Sequence, residues 1–187
     1  AERVRTTVGR LAFDGEFFVD NAERGLFGLK NTGNHTEVCQ YFAFYFGIAD
    51  STSHPELWRR LIEDFGPRRD PKRTWPEVHP AAPFIGKMLR MEVLGVAGLA
   101  DRLLDEMVGY YLPMAERTGT LWEFDGAAAS CNHGCAGHIC TIIFRDVLGL
   151  AEVDQVVREL TVRFNRVPLA SCSGVRPVAD GEIELAW

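Results

Sequence analysis

The chain has 187 residues, of which 47% are hydrophobic and 25% charged, enough apolar material for a well-buried core and no sign of extensive disorder. A net charge of −6 excludes a protein that works by neutralising nucleic-acid phosphates. Its apolar runs, such as Tyr41 to Ala49 and Ile139 to Phe144, are too short to span a bilayer.

In chain order, Val8 to Ala12 and Glu16 to Asp20 flank Phe13-Asp14-Gly15, and an Asp-Gly pair between apolar-rich runs predicts a short β-hairpin. Arg24 to Asn34 is glycine-rich and reads as a surface loop. Thr36 is placed to cap a helix that runs from Glu37 through Val38-Cys39-Gln40-Tyr41-Phe42-Ala43-Phe44-Tyr45-Phe46 to Gly47. Being apolar nearly all round, that helix is expected inside a layered structure or lining a cavity. Glu37, Gln40 and Tyr41 then either face a pocket or belong to a capped core helix.

Ser53-His54-Pro55-Glu56 signals the start of a second helix, in which Leu57, Trp58, Leu61, Ile62 and Phe65 repeat at helical spacing until Gly66-Pro67. Arg68 to Pro83 is a proline-rich loop whose basic residues Arg68, Arg69, Lys72 and Arg73, beside Trp75, are expected to form a solvated rim. A third helix is predicted over Phe84 to Leu94. A fourth follows from Leu99, with Pro113 expected to kink or shorten its end.

The segment Thr118-Gly119-Thr120-Leu121-Trp122-Glu123-Phe124-Asp125-Gly126, with Ser130-Cys131-Asn132-His133-Gly134, gathers carboxylates, an indole, hydroxyls, an amide and an imidazole between two helical patterns. Loops on a rigid scaffold are where binding and catalytic groups concentrate; the competing reading is a plain helix–helix connection with a packed Trp122 and a solvated Glu123. His133 to Leu148 reads as a fifth helix closed by Gly149. Beyond it, the alternation in Val156 to Phe164 and in Gly181 to Trp187 predicts β-strands.

Cys131, His133, Cys135, His138 and Cys140 are zinc-type ligands within one short stretch, but their spacing fits no standard site. In a helix Cys131, Cys135 and His138 share a face that His133 leaves, so no metal is expected. The five cysteines are odd in number and form no evident disulfide framework, which points to a reducing, cytoplasmic setting, with a secreted or periplasmic one left open. The start, Ala1-Glu2-Arg3-Val4-Arg5, carries neither an initiator methionine nor a secretory pattern and reads as a cut or processed end.

Several of these stretches together resemble a known family. They are Asn34-His35-Thr36-Glu37-Val38-Cys39-Gln40-Tyr41-Phe42-Ala43-Phe44, Trp75-Pro76-Glu77-Val78-His79-Pro80-Ala81, Phe84-Ile85-Gly86, Glu116-Arg117-Thr118-Gly119-Thr120-Leu121-Trp122-Glu123, Ser130-Cys131-Asn132-His133-Gly134 and Arg145-Asp146-Val147-Leu148-Gly149-Leu150. In this order they are similar to the catalytic region of bacterial α-L-rhamnosidases, glycoside hydrolase family 78, over most of the chain from about Leu11.

The resemblance implies an inverting glycosidase that removes terminal α-L-rhamnose from glycosides or polysaccharides without a cofactor. It implies a mainly α fold: helical hairpins forming part of an (α/α)6 toroid, with a short N-terminal β-hairpin. Residues 1–150 would be part of that barrel and 151–187 the first strands of a C-terminal β-domain. Glu123 matches the family's general base, and His133, with Asn132 beside it, a residue contacting the sugar. Trp122 and Tyr41 are candidate ring-stacking walls, and Glu37 and Gln40 candidate hydroxyl partners.

An inverting mechanism also needs a carboxylic acid opposite the base. The Asp/Arg/Glu-rich motif that carries the acid in this family is missing from these 187 residues. The expectation is therefore the later half of a catalytic domain, prone to self-association or to pairing with the missing half. A non-catalytic carbohydrate-binding or interaction module derived from such an enzyme is the alternative.

Overall fold

The computed structural model describes residues 2–81, 83–124 and 129–187. The chain divides into two units, Ala1–Val93 and Leu94–Trp187. The expected mainly α toroid is corrected: 42% of the structure is helical and 19% is strand, with six helices and four two-stranded sheets among the described residues, an α/β mix. The physical reason is local. The stretches at 22–31 and from 150 onward satisfy their backbone groups by pairing with their nearest neighbour in sequence, and among the described residues only one α-helix exceeds 11 residues.

The first unit opens with α1 (Glu2–Ala12), so the hairpin predicted around Asp14-Gly15 does not form. The Asp14 carboxylate instead accepts the N–H groups of Glu16 and Phe17, each at 2.9 Å, and the turn supports a single bridge, Phe13 to Phe18. The hairpin lies later, in the stretch expected to be loop, where β1 (Ala22–Gly25) pairs antiparallel with β2 (Gly28–Asn31). Gly28, at φ +122°, supplies the backbone geometry the tight turn requires.

β3 (His35–Thr36) leads directly into α2 (Glu37–Tyr45), whose N-terminus is capped as expected by the Thr36 hydroxyl accepting the Cys39 N–H at 3.1 Å. The face that α2 buries is the reverse of the one its composition suggests. Glu37, Gln40 and Tyr41 are sequestered, while the rings of Phe42, Tyr45 and Phe46 remain at the surface.

α3 (Pro55–Glu63) begins with proline in its first turn and buries Leu57 and Leu61, each worth about 2 kcal/mol relative to exposure. These two side chains join Phe17, Phe18, Tyr41, Phe65, Val78 and Leu89 in the core of this unit. β4 (Val78–His79) pairs parallel with β3, and a π-helical turn, Pro83–Lys87, runs into α4 (Met88–Val96), inside which the division between units falls.

The second unit is organised around α5 (Ala100–Thr118), the longest helix. Pro113 does not end it: five further residues stay helical, Met114 is buried, and Gly119 in the left-handed region closes it by donating to Ala115 O at 2.8 Å. After the site loop, a continuous helical run changes character twice, as 3₁₀ turn Gly134–Gly137, α6 (His138–Ile142) and π turn Ile143–Leu148. Gly149, at φ +97°, terminates it as expected. The C-terminal stretch forms two antiparallel hairpins, β5 (Leu150–Asp154) with β6 (Glu159–Val162) and β7 (Ser173–Val178) with β8 (Gly181–Ala186).

Candidate functional site

Three predicted ligands on α2 are part of the framework of the first unit. The Gln40 amide accepts the Phe18 N–H at 2.8 Å and donates to Phe18 O and Thr36 O at 2.9 Å, so it takes the place of a paired strand for Phe18. Tyr41 is fully buried and donates to Glu37 at 2.8 Å. Burial drives its hydroxyl far above the ordinary tyrosine range; the Arg90 guanidinium opposes that shift and the Glu37 carboxylate adds to it.

The second Glu37 oxygen lies 2.6 Å from Arg69 Nε, with both side chains essentially excluded from water. That approach is not aligned as a hydrogen bond, so the attraction is one of charge. Arg69, expected on a solvated rim, also donates to the carbonyls of Thr74, Trp75 and Val78 at 3.0, 2.9 and 2.7 Å. It holds the 74–78 turn around Trp75, whose φ of +52° is rare for a side-chain-bearing residue. Burial of this kind leaves Tyr41 no face to offer a sugar ring and occupies both Glu37 oxygens internally.

In the second unit the loop after α5 does bring predicted residues together. The Glu123 N–H donates to Ser130 O and the His133 N–H to Leu121 O, each at 2.9 Å, so 121–123 and 130–133 run side by side as two arms. Across them Glu123 Oε2 and His133 Nδ1 stand 3.9 Å apart, with the side chains 32% and 24% exposed. That is too long for a hydrogen bond. A pair this accessible contributes at most about 1 kcal/mol. The arms are therefore held mainly by their backbone and hydroxyl bonds, each worth about 0.5–1.5 kcal/mol net.

Asn132 is exposed beside His133. Trp122, predicted as a stacking wall, is only 4% exposed, so it lies beneath the site. Its indole N–H donates to Thr118 Oγ1 at 2.7 Å and its ring faces the Arg117 guanidinium at 5.9 Å. Thr118 Oγ1 is 2.8 Å from Thr120 Oγ1, and Thr120 Oγ1 donates to Cys131 O. These two threonine hydroxyls had no role in the sequence reading; the signal was Thr118 standing four residues before an indole that needs an acceptor. Asp125 and Gly126, also read as part of this loop, lie outside the described residues.

Among the described residues no three His, Cys, Asp or Glu side chains gather as a metal-ligand set, and Cys135 and Cys140 are exposed. No described helix is long and apolar enough to cross a membrane. No family model matches the chain, and no curated protein or solved structure matches it either.

Proposed function

We propose that this chain belongs to a glycoside hydrolase that removes terminal α-L-rhamnose with inversion, and that Glu123 is its general base. The carrying observation is the placement of the Glu123 carboxylate and the His133 imidazole 3.9 Å apart on adjacent arms of one partly exposed loop. It is joined by the similarity of Thr118 to Glu123 and Ser130 to Gly134 to the rhamnosidase motifs. The reading rests on that loop and takes nothing from the toroid that the fold replaces, nor from Glu37, Gln40 and Tyr41.

In this mechanism Glu123 takes a proton from a water that attacks the anomeric carbon, while His133 and Asn132 hold sugar hydroxyls near the base. A carboxylic acid on the opposite side of the sugar protonates the leaving oxygen. The family's acid-bearing motif is missing from these residues, and loss of a positioned acid costs about 10²–10⁴-fold in rate. An aryl α-L-rhamnoside whose leaving group departs with little protonation isolates the contribution of the base.

The expected result is slow turnover of the aryl substrate, abolished in Glu123→Gln, with alkyl rhamnosides essentially inert. Saturable rhamnoside binding with no turnover in either protein would instead favour a carbohydrate-binding module. Brisk hydrolysis of an alkyl rhamnoside by Glu123→Gln would remove Glu123 from the mechanism.

A further inference from the structure

We propose that Thr118 is a positioning residue for Glu123 and His133, its hydroxyl being the node of a one-way hydrogen-bond relay that ties the end of α5 to both arms of the site loop. The inference rests on the reading of that loop as a glycosidase site and assigns the element that holds it in shape.

The direction of the relay follows from donor and acceptor inventory. An indole N–H can only donate, and a backbone carbonyl can only accept. Trp122 Nε1 therefore donates to Thr118 Oγ1, at 2.7 Å, and the single proton of Thr120 goes to Cys131 O. Thr120 Oγ1 is left as the acceptor in its 2.8 Å contact with Thr118, so the Thr118 proton points to it. The carbonyls of Met114 and Thr120, at 3.2 and 3.4 Å, are longer alternatives for that proton.

The chain thus runs from Trp122 N–H to Thr118 O–H to Thr120 O–H to Cys131 C=O. Aligned donors in such a chain strengthen one another. One end adjoins Glu123 in sequence, the other lies two residues before His133, and the middle is anchored on the last turn of α5, closed by Gly119. A valine at 118 keeps the shape of the side chain but can neither accept from the indole nor donate to Thr120. A serine keeps both functions.

The test uses the whole chain, isotope-labelled, and reads the Trp122 indole N–H and the His133 ring by NMR in wild type, Thr118→Val, Thr118→Ser and Thr120→Val. In wild type and Thr118→Ser the indole proton should be protected from exchange, and Glu123→Gln should shift the His133 ring resonances. In Thr118→Val the indole protection should fall at least tenfold and the His133 response to Glu123→Gln should vanish. Thr120→Val, which spares the Trp122 bond, should keep the indole protected while weakening the His133 response.

Where aryl rhamnoside turnover is measurable, Thr118→Val should lower kcat on the order of 10²-fold, as misplacement of reacting groups does, with KM nearly unchanged. A Thr118→Val protein that melts earlier yet keeps the full His133 response would overturn the proposal, leaving Thr118 a helix-end residue only. An unfolded Thr118→Val protein transfers the decision to Thr120→Val, where an unaltered His133 response overturns it equally. Absence of any rhamnoside cleavage by wild type would count against the glycosidase reading alone, because the NMR comparison does not depend on substrate.

Discussion

Replacing Arg69 by methionine should destabilise the first unit by about 4 kcal/mol, more than any exposed charge in it could. Removing one member of a buried ion pair costs about 3–5 kcal/mol, since the other charge is left without water or counterion. Glu37 would be that charge, with its side chain 0% exposed and its other oxygen held by buried Tyr41. Three charge-assisted bonds to the carbonyls of Thr74, Trp75 and Val78 would go as well. Thr74 and Trp75 are only half-buried, so water recovers part of that loss and the terms do not add in full.

Against a typical total of about 5–15 kcal/mol, such a change leaves little margin. Glu37→Gln should cost less, about 2 kcal/mol, because Arg69 keeps its three carbonyls and the amide still accepts from Tyr41. Arg69→Met with Glu37→Gln should be more stable than Arg69→Met alone, because the buried charge is gone, which requires a coupling of more than about 2 kcal/mol, at the upper end of the usual range for residues in contact. Urea unfolding followed by the fluorescence of Trp58 and Trp75 and by far-ultraviolet dichroism measures all four proteins. Arg69→Met within about 1 kcal/mol of wild type, or a double variant no better than Arg69→Met alone, would refute the account of a buried, charge-coupled pair.

Gly95→Ala should lose about 1–3 kcal/mol, because a Cβ there would run into the Asp146 carboxylate, which is buried and held by Arg145 at 2.6 Å and Arg163 at 3.1 Å; thermal melts read the loss, and an unchanged melt would show that Asp146 can move aside. Asp14 is pushed up by desolvation but pulled down further by the N–H groups of Phe17 and Glu16 and by His35, so its carboxyl sits below the ordinary 3.8. A depressed carboxyl stabilises the fold above the unfolded-state value and loses that contribution as pH falls through the folded-state value, so Asp14→Asn should flatten the acid limb of a melting-temperature profile. Burial, with the Asp20 carboxylate adding to it, pushes the Cys39 thiol up to about 12, whereas Cys135 and Cys140 are exposed. Timed alkylation with peptide mapping should therefore modify Cys135 and Cys140 well before Cys39, and early labelling of Cys39 would mean that α2 opens readily.

Local signals in the sequence were sufficient for several features whose deciding partner lies close in the chain. Thr36 caps α2 three residues on, Pro55 opens α3, Gly149 ends the helical run before β5, and the alternation in Gly181–Ala186 pairs across one turn. The Glu123–His133 pair was legible for the same reason, since both arms belong to one short segment. Tertiary structure decided everything that depended on distant partners. Gln40 is claimed by Phe18, 22 residues away, and Tyr41 is approached by Arg90, 49 residues away, so side chains that read as pocket-lining are consumed by the core.

Arg69 looked like rim because it stands among basic residues in a proline-rich loop, and Glu37 together with the carbonyls of Thr74, Trp75 and Val78 draws it inside. The Asp14-Gly15 turn shows the converse. Its local chemistry is realised, but the preceding residues become α1, and the hairpin forms at 22–31 instead. A turn preference of this size is overridden when competing backbone pairing satisfies more groups, and which pairing wins is a property of the whole chain.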